Sequence, residues 1–221
     1  MSFELVTSNT VIVAQQFNPS VITQLWLVRN GLLDEDDFRP SCVFTDMVVK
    51  VNSREFDLMV VPQQCQFSPR VDRHREQELV ADKVGTIARS LPHTPYRAVG
   101  LNFTWHLIPE GSDVPTISRG LFFIEDGPLH REFADQNAHF GAYMSKGALG
   151  GRLKLDVKPI TVNREGENEE VERIQFAFNF HRDVADEEDP VDCIEYMLHQ
   201  WNEARDESSR IVHVAVREEP A

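Results

Sequence analysis

Two segments of the chain alternate apolar with polar residues, and their polar positions carry the side chains best suited to chemistry. One segment spans residues 97–108 and the other spans 171–182. The polar set comprises Asn102, Thr104, His106, Arg173, Gln175, Asn179 and His181. Amides, a hydroxyl, a guanidinium and imidazoles supply donors, acceptors and groups that titrate near neutral pH. If both segments are strands of one sheet, they present one ligand-binding surface, which Lys154 and Lys158 extend on a neighbouring strand.

Two other interpretations of this polar surface remain open. It is a plain solvent-facing side of the sheet, as antiparallel sheets commonly have. Alternatively it is a catalytic site in which His106 or His181 acts as a general acid or base. That chemistry requires the two imidazoles, or one imidazole and a carboxylate, to lie within hydrogen-bond reach.

Recognised catalytic and metal-binding motifs are absent from the sequence. Three cysteines, Cys42, Cys65 and Cys193, stand alone without a C-x-x-C pair. Neither a zinc spacing nor an EF-hand pattern occurs, and the glycines of residues 147–151 do not form a phosphate-binding loop. We therefore expect no catalytic residues, no cofactor and no metal.

The charge balance excludes some partners and favours others. The chain holds 22 basic and 36 acidic residues, a formal net charge of −14. Nucleic-acid phosphates and anionic membrane surfaces both require the opposite sign, so we expect neither as a partner. Residues 111–221 alone carry 12 basic and 23 acidic residues. Two acidic runs, at 165–172 and 183–189, predict a surface for a protein partner with basic patches.

These observations favour one functional class over two alternatives. We expect a non-catalytic, soluble, cytoplasmic accessory protein that acts through protein–protein binding. The first alternative is a small-molecule sensor that uses the polar sheet face, and the second is an enzyme with histidine-based acid–base chemistry. A homo-oligomer is compatible with the sequence.

Hydrophobic periodicity predicts the elements that position these side chains. Strands are predicted at 10–17, 42–51, 56–67, 97–108, 139–145, 152–162, 171–182 and 210–217. Helices are predicted after Asn18-Pro19 and after Asp189-Pro190, because an Asn or Asp cap before proline is a helix start. A further helix is predicted at 72–91 from the helical spacing of Val80, Val84, Ile87 and Leu91. Residues 117–126 fit either a short helix or a strand.

This order predicts an α+β fold, a mostly antiparallel sheet with about three helices packed on one face. Residues 10–108 follow the ferredoxin-like β-α-β-β-α-β order. We expect one compact domain over residues 1–221, with candidate lobes at 1–108 and 117–221. The hairpin-helix-strand order of 42–108 recurs at 151–217, which allows an internal duplication.

A buried core is predicted from helix stripes and strand faces. Its members are Leu25, Val28, Val84, Ile87, Val99, Leu101, Phe103, Phe176, Phe178, Leu198 and Trp201.

Overall fold

The computed structural model describes residues 1–111, 113–163 and 170–217, and it shows an α+β fold built on one large antiparallel sheet. The nine strands are β1 (Ser2–Ala14), β2 (Val43–Phe44), β3 (Val49–Asn52), β4 (Phe56–Val61), β5 (Gln64–Pro69), β6 (Tyr96–Ile108), β7 (Ala142–Ala148), β8 (Gly151–Asn163) and β9 (Glu170–Asp183). Their order across the sheet is β2-β3-β4-β5-β1-β6-β9-β8-β7. Every neighbouring pair runs antiparallel.

The described residues contain six α-helices and two short 3-10 helices. The α-helices are α1 (Gln24–Arg29), α2 (Arg73–Ser90), α3 (Val114–Phe122), α4 (Pro128–Arg131), α5 (Pro190–His199) and α6 (Trp201–Arg217). The 3-10 helices span Pro19–Val21 and Glu35–Asp37. None of the described helices combines the length and the apolar composition that a membrane crossing requires.

The core lies between the helices and one face of the sheet. On β6 this face carries Val99, Leu101 and Phe103. Leu101 stands opposite Phe180 of β9, and Phe103 stands opposite Phe178. Helix α6 sits directly on it, because Trp201 meets the Phe103 ring edge-on at 5.0 Å and the Trp105 indole donates to Ser208. Strict alternation on β6 and β9 therefore buries one row of side chains under helices and leaves the other row on the opposite face.

The two halves of the sheet follow related strand orders. Counted outward from the sheet centre, the first half reads β1-β5-β4-β3-β2 and the second reads β6-β9-β8-β7. In each half a long strand is followed by short helices, an antiparallel meander and then a helix, but the meander has four strands in the first half and three in the second. The likeness extends from β1 and from β6, earlier in the chain than the predicted starts at residues 42 and 151. A duplication of the sequence itself stays a prediction.

The ferredoxin-like order of residues 10–108 and the count of about three helices are not confirmed. The segments expected as two strands, 42–51 and 56–67, each contain a turn. In segment 42–51 the Thr45 hydroxyl accepts from the backbone N–H of Val48 at a turn, and β2 pairs with β3 across it. In segment 56–67 the turn is at Pro62-Gln63, and β4 pairs with β5. Four strands, β2 to β5, therefore lie between the helices α1 and α2, where two strands were predicted.

The first predicted helix begins later than its Asn-Pro signal. Asn18 makes no side-chain cap, and Pro19 opens only a single 3-10 turn. Thr23 caps α1 instead, by accepting from the backbone N–H of Trp26. The shift rotates the helix, so Leu27 is buried while Leu25 is exposed and Val28 is half-buried. The other predicted core residues are buried as expected.

The predicted last strand at 210–217 is wrong, because these residues end helix α6. Ser208 lies within this helix and connects it to the sheet. Its hydroxyl donates to the Arg205 carbonyl one turn earlier and accepts from Trp105 of the sheet. The contact with Trp105 thus outweighs the strand propensity of the Ile, Val and His residues that follow.

Candidate functional site

The seven predicted site residues lie together on the sheet face that faces away from α5 and α6. Asn102 stands opposite Asn179 in the β6–β9 ladder, His106 stands opposite Gln175, and His181 stands opposite Gly100. Along β6 and β9 these residues alternate with the buried ones, such as Phe103 and Phe178, and so they point to the opposite face of the sheet. The structure therefore brings the set together as expected. We call this side of the sheet the open face.

A row of three asparagines crosses the middle of the open face. The Asn102 amide donates to the Asn9 carbonyl oxygen at 2.9 Å, and the Asn179 amide donates to that of Asn102 at 2.6 Å. Gly100 makes room for this row, since a Cβ there would lie 3.0 Å from the Asn179 amide nitrogen. The row joins β1, β6 and β9 and satisfies its members with each other rather than with a ligand.

Charged side chains on the open face are also paired with one another. Arg173 of β9 reaches across β6 to Glu4 of β1 at 2.9 Å. On β8, Lys158 pairs with Asp156 at 2.7 Å. His181 contacts Asp183 at 3.0 Å. In the described part of the chain, Lys154 is the cation of β8 that has no hydrogen-bonded partner.

His106 is the one side chain of this face that is buried with a polar atom unsatisfied. It is only 7% exposed, and its Nδ1 has no hydrogen-bond partner among the described residues. Burial lowers the pKa of His106 below its usual value. Its cross-strand neighbour Gln175 acts in the opposite direction, while Arg173 lowers the pKa further and Glu4 raises it. The imidazole is therefore held neutral, because its charged form would be poorly solvated.

The two histidines do not form a joint acid–base site. His181 stands opposite Gly100, six positions along β6 from His106, which corresponds to roughly 20 Å at the rise of an extended strand. His106 also lies beside Glu4, but that carboxylate is bonded to Arg173. The imidazole and carboxylate that come within hydrogen-bond reach are those of His181 and Asp183, at 3.0 Å, and the Asp183 side chain is largely exposed to solvent.

Sequence reasoning missed the contribution of β1 to the open face. It began the first strand at residue 10, whereas β1 starts at Ser2 and supplies both Asn9 and Glu4. Alternation of Phe3 and Leu5 with Glu4 was the available signal. A bulge between Leu5 and Thr7 interrupts that alternation and hides it.

The acidic residues that set the net charge lie largely outside the open face. The nine strands place five cationic and four anionic side chains on it: Lys50, Arg152, Lys154, Lys158 and Arg173, against Glu4, Asp57, Asp156 and Asp183. This face is nearly balanced in a chain of net charge −14. The helix side and the loops carry the acidic excess.

The predicted acidic runs are mostly engaged in local structure or lie outside the described residues. Residues 164–169 fall outside them, which removes most of the 165–172 run from view. In the second run, Asp189 caps α5 by accepting from two backbone N–H groups, and Glu188 pairs with Arg182 at 2.5 Å. Asp186 and Glu187 remain as exposed carboxylates of this loop.

A polar groove lies on the opposite, helix side of the molecule. It runs between α2 and α5, with a volume of about 540 Å³. The carboxylates of Glu78, Asp82 and Glu195 line it, together with the histidines His74 and His199. Arg89 of α2 closes one end by an ion pair with Glu195.

Metal-ligand clusters do not occur in the described ranges, and two of the three free thiols are buried. No group of three or more His, Cys, Asp or Glu side chains within residues 1–111, 113–163 and 170–217 is arranged to hold a metal ion. Burial raises the pKa of the Cys65 thiol to about 12 and that of Cys193 to about 11, so both thiols stay protonated at neutral pH.

No protein-family model matches the chain, and no curated protein matches it at a significant level of similarity. Function is therefore inferred from geometry and charge alone.

Proposed function

We propose that the chain is a non-catalytic accessory protein of the cytoplasm that acts through protein–protein binding. The observation that supports this proposal is the mutual pairing of the candidate site residues. The asparagine row and the Arg173–Glu4 pair satisfy their polar atoms across strands. Catalytic sites instead converge several groups on one reacting atom.

The partner we propose has a basic surface and docks on the helix side. Glu78 and Asp82 of α2 are exposed at the α2–α5 groove, and Glu195 lies across from them. Arg89 pairs with Glu195 and Lys83 pairs with Asp82 at 3.3 Å, so Glu78 is the carboxylate of these three that has no ion pair among the described residues. Lysine or arginine side chains of a partner could contact carboxylates in this groove, which lies on the side opposite the cations of the open face. Oppositely charged surfaces also associate faster at low salt.

A matched pair of charge-neutralised variants tests this proposal. The first, Glu78→Gln with Asp82→Asn, removes two carboxylates from the groove, and the second, Asp186→Asn with Glu187→Gln, removes two from the β9–α5 loop. An arginine-containing cationic peptide serves as the probe, with its affinity measured by fluorescence anisotropy at low and high salt. We expect about fivefold weaker binding for the groove variant, roughly 1 kcal/mol, and little change for the loop variant.

The possible outcomes distinguish where the partner binds from whether the protein binds a basic partner at all. Weakening by the loop variant alone would move the binding surface to residues 183–189 and leave protein binding in place. Equal, small effects of both variants would indicate that the acidic residues serve solubility only, and the support for a basic partner would be lost.

A small-molecule binding role is the second candidate, and the buried unsatisfied Nδ1 of His106 is the observation that favours it. A ligand that displaced the Arg173–Glu4 pair could donate to this nitrogen. Anything that binds only the native state raises its melting temperature. A ligand of this kind would stabilise the wild type but not His106→Gln, and a thermal-shift screen of small hydrogen-bond donors on both proteins distinguishes the two roles.

A further inference from the structure

Among the described residues, strand β7 ends the sheet on one side and leaves backbone groups without strand partners. It pairs with β8 through a two-residue turn, Leu149-Gly150, whose φ angles of 51° and 69° are those of a type I′ hairpin. In such a hairpin the closing residues Ala148 and Gly151 form a hydrogen-bonded pair. Because hydrogen-bonded pairs alternate along an antiparallel ladder, the N–H and C=O groups of Tyr143, Ser145 and Gly147 point away from β8.

Apolar surface accompanies this edge. A groove of about 230 Å³ lies beside β7, lined almost entirely by apolar atoms of Met144, Leu153, Leu155 and Ile211. Met144 is 44% exposed, and Val214 of α6 is also exposed. Leu153 and Leu155 are themselves buried, so the exposed apolar surface at this edge belongs to Met144 of β7 and Val214 of α6.

The opposite edge of the sheet is protected in ways that β7 is not. Strand β2 has only two residues, and Phe38 directly after the acidic 3-10 helix Glu35–Asp37 packs against its Phe44. Short length and charge are the usual means by which proteins block edge pairing. By contrast β7 has seven residues, with Lys146 as its one charged side chain, and Lys146 is bound to Glu207 of α6 at 2.8 Å.

We propose that β7 pairs antiparallel with β7 of a second copy of this chain, about a two-fold axis that passes through Ser145. In this register Ser145 faces its own counterpart, Tyr143 faces Gly147 and Met144 faces Lys146. The three outward-facing residues of each copy then form about six backbone hydrogen bonds across the interface. No like charges stand directly opposite, and the Tyr143 ring covers a residue that has no side chain.

A second copy fits this edge better than an unrelated strand for reasons of charge and symmetry. Two chains of net charge −14 repel over most of their surfaces, but β7 contains no acidic residue. The register is self-complementary, as a two-fold interface requires. The strand is about 24 Å long, and with the neighbouring helix side it buries on the order of 1,000 Å² in total, the low end for a specific interface, so the dimer forms reversibly.

Cysteine cross-linking tests the register directly. In Ser145→Cys the two introduced Cα atoms lie about 5.5 Å apart, within disulfide range. The matched control Tyr143→Cys places them about 14 Å apart, because the register separates these residues by four positions. Mild oxidation is expected to produce covalent dimer from Ser145→Cys and only the wild-type background from Tyr143→Cys. Equal cross-linking of both variants, or none for Ser145→Cys, overturns the proposal.

Sedimentation equilibrium supplies a test that needs no new bond. Ser145→Pro removes an N–H that points outward and takes no bond from the β7–β8 ladder, so we expect at least tenfold weaker self-association. Ser145→Ala keeps the N–H and is expected to associate like the wild type. A wild type that stays monomeric over the full concentration range overturns the proposal, as does a Ser145→Pro dimer of unchanged strength. If Ser145→Pro fails to fold by circular dichroism, the cross-linking result decides.

Discussion

The two faces of the sheet are built from the same strands but follow different rules. On β9, Phe178 points to the helices and is 2% exposed, while its chain neighbour Asn179 belongs to the asparagine row on the open face. The covered face is held together by apolar burial against α2, α5 and α6. The open face is held together by pairs of polar side chains on adjacent strands. The two faces of one strand are therefore held in place by different interactions.

The two faces should also contribute unequally to stability. Burial of a large side chain contributes several kcal/mol, whereas a hydrogen bond near solvent contributes about 1 kcal/mol. Changes on the covered face should consequently unfold the protein, and changes on the open face should leave it folded.

The largest expected effect is that of Phe178→Ala. Removing a ring from the covered face should lower the free energy of unfolding by about 3–5 kcal/mol, because the transferred apolar surface and the remaining cavity both count. Urea titration followed by circular dichroism measures it, with Asn179→Ala as the control from the opposite face. A loss below about 1 kcal/mol would mean that the two faces are not so different.

Glu76→Gln tests the polar group that is buried on the covered side. Glu76 of α2 is 7% exposed and accepts from the Trp201 indole at 3.0 Å and from the Arg205 guanidinium. Removing its charge leaves Arg205 uncompensated in a buried site, so we expect a loss of roughly 3 kcal/mol in unfolding free energy. Double replacement with Arg205→Met should recover part of that loss, and an equally unstable double variant would show that the uncompensated charge of Arg205 is not its cause.

Asn102→Ala is expected to have a smaller effect, about 1–2 kcal/mol. The substitution removes the middle member of the asparagine row and leaves Asn9 and Asn179 each without a partner. Chemical unfolding gives the free energy, and Asn102→Asp serves as a second variant that keeps the acceptor. If Asn102→Ala is as damaging as Phe178→Ala, the open face is part of the core.

The smallest expected effect is that of His106, which should make the free energy of unfolding depend on pH. Burial lowers the pKa of His106 in the folded protein, so the unfolded chain takes up the proton more readily. The contribution of His106 is fully present above the unfolded pKa of about 6.5 and is lost as the pH falls below it. Unfolding free energies at pH 8 and pH 5.5 should differ less for His106→Gln than for the wild type. Equal differences would show that the imidazole is solvated in the fold.

Long, regular elements were predictable from the sequence because local and tertiary preferences agree in them. The alternation in β6 and β9 placed both the core row and the candidate site residues on their correct faces. Helix α2 was predicted from the spacing of Val80, Val84 and Ile87, all of which are buried. The period of the apolar residues decides such elements without any long-range information.

Other elements depended on contacts that no local pattern records. Residues 210–217 read as a strand but are helical, since Ser208 upstream is tied to Trp105, more than a hundred residues earlier. The turn at Thr45–Val48 was invisible because Val43, Thr45, Met47 and Val49 alternate without interruption. The pairing of Asn9 with Asn102 joins strands that the sequence separates by an entire half of the fold.

The central position of β1 has a consequence for synthesis on the ribosome. Thr10 donates to the carbonyl of Gly100, 90 residues further along the chain. Translation adds about 5–20 residues per second, so β6 is synthesised several seconds after β1. Until then, β5 is the one sheet neighbour of β1 that has been synthesised. During that interval the β1 edge that later meets β6 is exposed, so the nascent first half is the stage at which a chaperone or a neighbouring nascent chain can capture this protein.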